Sequence, residues 1–159
     1  MTEKIHNTAI ALGGNLGPVR ENFCYAVSEL SYGGLNNIRF SSIMKSKPEN
    51  CPPNSPDFIN AALTGEWQGT AQELLSLCQK IEVEAGRPAK HGFNAPRTLD
   101  LDIILFDDKI INSADLQIPH PRAAERIFVL EPLAKIAPDW IFPDSGKKVR
   151  ELLDILKQS

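Results

Sequence analysis

Asp100 and Asp102 are the residues of this chain whose type and spacing point most directly to chemistry. They stand in the run Pro96-Arg97-Thr98-Leu99-Asp100-Leu101-Asp102-Ile103-Ile104-Leu105-Phe106. That run reads as a β-strand, because apolar and β-branched residues dominate it and Pro96 disfavours a helical entry. Residues two apart on a strand share a face, so the two carboxylates project together while Leu99, Leu101 and Ile103 turn into a core. Adjacent carboxylates on an otherwise buried strand repel each other and are costly to desolvate, and a cation offsets that cost. Hard oxygen ligands suit magnesium, which keeps several waters and is commonly shared with substrate phosphates. Arg97 supplies the positive charge that a phosphate needs. The plainer alternative is that two aspartates on an edge strand keep it soluble.

Other residues could join that chemistry. Arg87, Lys90, His91 and Arg97 fall within eleven residues and lead straight to the aspartates. They read either as a solvated charge run or as a clamp on a bound polyphosphate. His120, Arg122 and Arg126 form a second set, in which His120 is a structural histidine or half of an anion site. Gly13-Gly14-Asn15 follows a strand and is open to two readings, a plain turn or a nest of amides for an anion. It carries neither the Walker pattern nor a dinucleotide fingerprint. Cys24, Cys51 and Cys78 lack metal-type spacing and read as reduced thiols.

The elements that must position these residues follow from pattern. Residues 8–12 form a strand that runs into a glycine turn, with Pro18 at the start of a helix over 22–30. Residues 38–44 predict a second strand. Residues 47–56 hold four prolines and form an irregular loop. Residues 58–67 predict the third strand. Thr70 and Glu73 open a helix with a capping box, Leu74, Leu77, Cys78, Ile81 and Ala85 line its buried face, and Gly86 ends it. After the aspartate strand, 109–112 reads as a short pairing strand. Residues 118–143 are proline-punctuated, with an apolar centre at 127–130 that covers the sheet. Leu152, Leu153, Ile155 and Leu156 close the chain with a helix. The order is the β-α-β-β-α-β pattern of a ferredoxin-like α+β domain, a mainly antiparallel sheet flanked by helices.

Bulk properties narrow the classes. The chain has 159 residues, 42% hydrophobic and 23% charged, which fits one domain over 1–159. A net charge of −3 argues against a general nucleic-acid binder. The first residues lack a signal-peptide core and no apolar run spans a bilayer, so a cytoplasmic protein without membrane partners is expected.

Five blocks together carry a family resemblance: Ala11-Leu-Gly-Gly-Asn-Leu-Gly17, Pro56-Asp-Phe-Ile-Asn-Ala-Ala62, Gln79-Lys-Ile-Glu82, Arg97-Thr-Leu-Asp-Leu-Asp102 and Ile118-Pro-His-Pro-Arg122. In order and gaps they resemble the 6-hydroxymethyl-7,8-dihydropterin pyrophosphokinases over nearly the whole chain. The resemblance implies a monomeric enzyme of folate biosynthesis that transfers the β,γ-pyrophosphoryl group of ATP to the pterin hydroxymethyl oxygen and releases AMP. It implies that Asp100 and Asp102 hold two magnesium ions, and that Arg87 and Arg97 contact phosphates and steady the transition state. It assigns Gln79, Glu82, Lys90, Ile103, Leu116, Gln117, His120 and Arg126 to ATP. To the pterin it assigns Gly13, Ser46, Lys47, Pro48, Phe58, Asn60, Asp100 and Phe128, with the two phenylalanines stacking on the ring.

The chain departs from the family's commonest pattern at Ala89, where many members have a second loop arginine. It departs again at Asn94, where many have a tryptophan, and at Pro121, where some have an aromatic residue. Segments 49–56 and 87–96 are the expected moving loops. Two other classes fit the bare motifs: a metal-dependent nucleotidyltransferase, which would release pyrophosphate, and a non-catalytic ligand-binding domain.

Overall fold

The computed structural model describes residues 4–47, 56–86 and 98–158. Pro48, Cys51, Arg87, Ala89, Lys90, His91, Asn94 and Arg97 lie outside the described residues, as do both expected moving loops apart from Pro56.

β1 (His6–Gly14) extends past its apolar centre at both ends. α1 (Val19–Tyr32) follows with Pro18 at its N-cap, and buries Phe23, Ala26 and Leu30 along one stripe. The strand expected over 38–44 is two strands, β2 (Asn36–Phe40) and β3 (Met44–Ser46). Ser41 causes the break. Its amide donates to the Ala62 carbonyl at 2.9 Å, and its Oγ accepts the Ala62 amide at 2.9 Å while donating to the Ser42 carbonyl. The hydroxyl thereby takes the place of a backbone partner, and the ladder is interrupted.

β4 (Phe58–Trp67) has the predicted bounds. α2 (Ala71–Glu84) begins at Thr70, whose Oγ1 accepts the Glu73 amide while the Glu73 carboxylate accepts the Thr70 amide. β5 (Asp100–Phe106) completes the main sheet in the order β2-β4-β1-β5, with β3 also on β4 and every pairing antiparallel. This is the ferredoxin-like arrangement, and it makes β5 an edge strand.

Two apolar layers sandwich the sheet. On one face Ile10, Leu12, Leu63, Leu99, Leu101 and Ile103 meet Phe23 and Leu30 of α1 and Leu74, Cys78 and Ile81 of α2. On the other, Ala9, Ala11 and Ala62 meet α3 (Ile127–Ile136) and α4 (Val149–Lys157). Small sheet residues let α3 approach closely, and Leu130 and Leu133 of α3 are fully buried there, each stabilising by about 1.5–3 kcal/mol. α3 forms although Pro132 lies inside it. Proline forgoes one helical bond, and the packing of Val129, Leu130 and Leu133 offsets that loss. α4 is the expected closing helix, with Leu152 and Leu153 buried and Ile155 exposed.

β5 contains a bulge. Ile10 stands opposite Ile103, but Ala9 stands opposite Leu105, so Ile104 is an extra residue. Beyond it the alternation flips: Ile104 and Leu105 both join the α3–α4 layer, and Phe106 turns back beneath α1 and α2. The short strand expected over 109–112 is β6 (Ile111–Asn112), paired with β7 (Gln117–Ile118) in a separate ribbon. A second ribbon, β8 (Ile141–Phe142) with β9 (Lys147–Lys148), precedes α4. Among the described residues, no helix is long and apolar enough to cross a membrane.

Asp107 closes the turn after β5. Its carboxylate accepts from His6 Nδ1 at 2.6 Å and from the Asn7 amide at 2.7 Å. Partial burial works to raise this carboxyl, but the bonds from His6 and Asn7 and the charges of His6 and Lys4 outweigh it and hold it below the usual range. A depressed carboxyl contributes stability above its unfolded pKa and loses it as pH falls through the folded value. Asp107→Asn keeps the shape and tolerates the positive φ of 51° at this turn. Relative to it, the native chain is expected to be more stable by about 1–2 kcal/mol at pH 6–7, a gap that shrinks below about pH 4. Urea unfolding at several pH values measures it, and a gap that widens in acid would refute the assignment.

Candidate active site

Register gathers the predicted residues into one row. Gly13 stands opposite Asp100 on one side and Asn60 on the other, and Asn60 stands opposite Met44. One step along, Ala11 lies between Asp102 and Ala62. The α3–α4 layer covers the sheet as far as Ala11 and Ala62. Beyond that row Asp100, Gly13, Ser46 and Phe58 are half-buried, and Asp102, at the β5 end of the row itself, is exposed. The carboxylates therefore share the face predicted for them, over a floor whose side chains are a hydrogen and a methyl.

The glycines are not a nest. Gly13 and Gly14 both belong to β1, and extended backbone cannot aim successive amides at one anion. Gly14 is instead required by close approach: a Cβ there would lie 2.7 Å from the Thr98 carbonyl oxygen. Gly13 has ordinary room, with its would-be Cβ 3.5 Å from Asn60 Oδ1. Asn15 ties the following turn to the start of β4, donating to the Pro56 carbonyl at 3.1 Å.

Asn60 is buried and held by its amide nitrogen, which donates to Ser46 Oγ at 2.8 Å and lies 3.4 Å from the Met44 carbonyl. That anchoring directs Oδ1 over Gly13, so Asn60 offers the pocket an acceptor. Phe128 is half-buried at the start of α3, with the Arg126 guanidinium 5.4 Å from its ring centre. A cleft of about 420 Å³ runs past Ser46, Lys47, Arg126, Phe128 and Leu156.

The other assigned residues lie along the outer edge of β5. Glu82 is buried at the end of α2, and its carboxylate accepts the Leu101 amide at 2.7 Å. Leu101 therefore turns its peptide group away from β1, and by strand alternation Ile103 does the same. The Ile103 side chain packs in the α1–α2 core, so a pocket at this edge meets its backbone. Leu116 is likewise a buried core side chain, whereas Gln79 and Gln117 are exposed. Burial, with the negative charges of Glu82 and Asp102, pushes the Cys78 thiol up, so it stays protonated. Cys24 is exposed, and both described cysteines are free thiols.

His120 is joined to this edge through its backbone, whose amide donates to the Ile104 carbonyl at 3.2 Å. Its Nδ1 accepts the Arg122 amide at 3.3 Å, which assigns the neutral tautomer with Nε2 as donor. Burial is the main force holding the ring below its usual pKa; Asp102 pulls the other way, and Arg126 and Arg122 add to the lowering. Asp102, Arg126 and Arg122 thus all act electrostatically on His120. Sequence reasoning missed the Arg122 amide and the Leu101 amide, because a backbone contact leaves no side-chain signature.

A sequence profile of the family described as 7,8-dihydro-6-hydroxymethylpterin-pyrophosphokinase matches residues 9–138. The chain belongs to that family. It is a pyrophosphokinase of folate biosynthesis. It is 40% identical over 153 residues to 2-amino-4-hydroxy-6-hydroxymethyldihydropteridine pyrophosphokinase of Synechocystis, covering 96% of this chain and 77% of that one. The Haemophilus influenzae protein of the same name is 41% identical over 86% of this chain and 84% of its own. The folic acid synthesis protein fol1 of Pneumocystis carinii is 39% identical over 88% of this chain, which spans only 19% of that longer protein. Among solved structures, wild-type Plasmodium falciparum HPPK-DHPS with pteroate superposes with a TM-score of 0.75 at 12% identity. It covers 98% of this chain and 45% of its own, and at that identity the likeness is one of fold.

Proposed function

We propose that this pyrophosphokinase transfers the β,γ-pyrophosphoryl group of ATP to the hydroxymethyl oxygen of 6-hydroxymethyl-7,8-dihydropterin with magnesium held by Asp100 and Asp102, and releases AMP. One observation carries the reading: two carboxylates share an open face, and Asp100 lies directly across Gly13 of β1 from the anchored Asn60. That register sets a phosphate-handling pair beside an acceptor for the pterin, in adjacent rows of the sheet.

The donor set fits magnesium. Both side chains offer hard oxygens, and Gly13 and Ala11 beside them leave room for a hydrated ion. Among the described residues no group of three or more His, Cys, Asp or Glu side chains is gathered to close a coordination shell. In this reading two ions are held, with waters and phosphate oxygens as their remaining ligands. When bound, magnesium neutralises phosphate charge and polarises the phosphorus under attack.

The chain's own residues supply the rest. His120, neutral with Nε2–H as donor, hydrogen-bonds a phosphate oxygen, and Arg126 adds charge beside it. Arg87, Lys90 and Arg97 belong to the same reading as phosphate contacts, on the residue match alone. Gln79, Glu82, the Ile103 backbone, Leu116 and Gln117 border the nucleotide along the β5 edge. Asn60 accepts from a pterin N–H, Phe58 and Phe128 flank the ring, and Gly13, Ser46, Lys47 and Pro48 line its pocket.

Incubating the protein with ATP, magnesium and 6-hydroxymethyl-7,8-dihydropterin tests the reaction. AMP in step with pterin diphosphate is expected; ADP, or pyrophosphate with no AMP, would refute it. Ser46→Ala tests the pocket. Losing its anchor lets the Asn60 amide turn, so KM for the pterin is expected to rise about tenfold with kcat nearly unchanged. An unaltered KM would remove Ser46 from the pocket's support.

A further inference from the structure

The outer edge of β5 has a helix side chain where a further strand would be. Asp100 and Asp102 pair with Gly13 and Ala11 of β1, and the residue between them, Leu101, gives its amide to Glu82 at 2.7 Å. Glu82 reaches it from the last turn of α2 and is 8% exposed.

A buried carboxylate is a costly acceptor for an amide. It is desolvated, and this one faces the negative end of its own helix. A glutamine would meet the same amide without the charge, and a methionine would fill the space without the bond. What the carboxylate adds is a strong, short bond to the middle of an aspartate-leucine-aspartate triplet on an edge strand that ladder bonds hold from one side only. The bulge at Ile104 loosens the same strand two residues further on.

We infer that Glu82 is a positioning residue: by clamping the Leu101 amide it fixes the spacing and direction of Asp100 and Asp102, and so sets how tightly they hold a divalent cation. The inference rests on the reading of those aspartates as the metal-holding pair. It gives Glu82 a role distinct from bordering the nucleotide, because its target is the strand.

Two variants of similar length separate the roles. Glu82→Gln keeps an acceptor for the Leu101 amide, and Glu82→Met keeps only the volume. The first readout is amide hydrogen exchange at Leu101, and the second is manganese affinity with a non-hydrolysable ATP analogue, read by electron paramagnetic resonance without turnover. Support partners of metal ligands are typically worth about 10–100-fold in metal affinity. Glu82→Met is therefore expected to speed Leu101 exchange and weaken manganese at least about tenfold, while Glu82→Gln stays within about threefold of the native chain.

A folded Glu82→Met protein with native manganese affinity overturns the inference. So does a Glu82→Gln protein that protects Leu101 yet loses manganese as badly as the methionine variant, because the carboxylate would then act by its charge on the ligand. Should Glu82→Met fail to fold, Glu82→Gln is judged against the native chain instead: protected Leu101 with manganese at least about tenfold weaker overturns the inference. Asp102→Ala measured alongside separates the two levels. If it binds manganese as the native chain does, the metal reading itself fails and this inference falls with it.

Discussion

Asp102→Ala is expected to lower AMP formation by at least about 10³-fold, roughly 4 kcal/mol of transition-state stabilisation, while leaving the fold intact. The asymmetry comes from where the side chain is. Asp102 is exposed on the open part of the sheet, while its neighbours Leu101 and Ile103 carry the packing on the opposite face. Removing its carboxylate deletes no core contact, so thermal unfolding should shift by no more than a surface substitution does, about 0.5 kcal/mol. The chemical loss has two parts. Half of the proposed oxygen pair disappears, and the negative charge that opposes the lowering of the His120 pKa goes with it.

Asp102→Asn sharpens the test. It keeps size and hydrogen bonding but not charge, and a neutral amide oxygen is a poor partner for a hard divalent cation. The asparagine variant should therefore fail nearly as badly as alanine. Chromatographic quantification of AMP measures both, and normal AMP release by either would remove Asp102 from the catalytic set.

Gly14→Ala is the largest expected stability effect of a single methyl. Its Cβ would meet the Thr98 carbonyl oxygen at 2.7 Å and Val19 Cγ1 at 3.2 Å. The first of these is backbone, which cannot rotate away. Thr98 is also held from the other side, since its carbonyl accepts from Asn22 Nδ2 at 3.2 Å. Relief requires moving the lead-in to β5 or opening β1. We expect a loss of about 2–3 kcal/mol, the upper end for an overpacked site. For a chain of this size that is a fall in Tm of roughly 5–10 °C.

Thr98 stands two residues before Asp100, so activity should fall with stability. Gly13→Ala is the control. Its added methyl finds ordinary contacts, so it should remain folded and lose pterin affinity instead. Equal thermal stability for the two alanine variants would refute the close-packing account of Gly14.

Much of this was legible in residue patterns because the signals were local. The Thr70–Glu73 capping box, the bounds of β4 and the shared face of Asp100 and Asp102 each depend on residues a few positions apart. The order of elements was enough to name a ferredoxin-like sheet. Where the reading slipped, a distant partner had intervened. The Ser41 hydroxyl breaks the second strand because Ala62 lies across from it, and nothing near Ser41 announces Ala62. The helical state of 127–136 was hidden by Pro132, whose cost only the packing against Ala9, Ala11 and Ala62 makes tolerable.

The sequence by itself determined the family, the chemical types present and the pairing of the two aspartates on one face, since these rest on residue identity and on the two-residue period of a strand. Only the tertiary structure decided that Gly14 serves a close approach rather than an anion, that Asn60 is turned by Ser46 to present its oxygen, and that Glu82 grips the strand between the aspartates. Each of those depends on atoms from elements far apart in the chain meeting within a few ångströms. Such meetings are set by sheet register and helix docking, which no local spacing encodes.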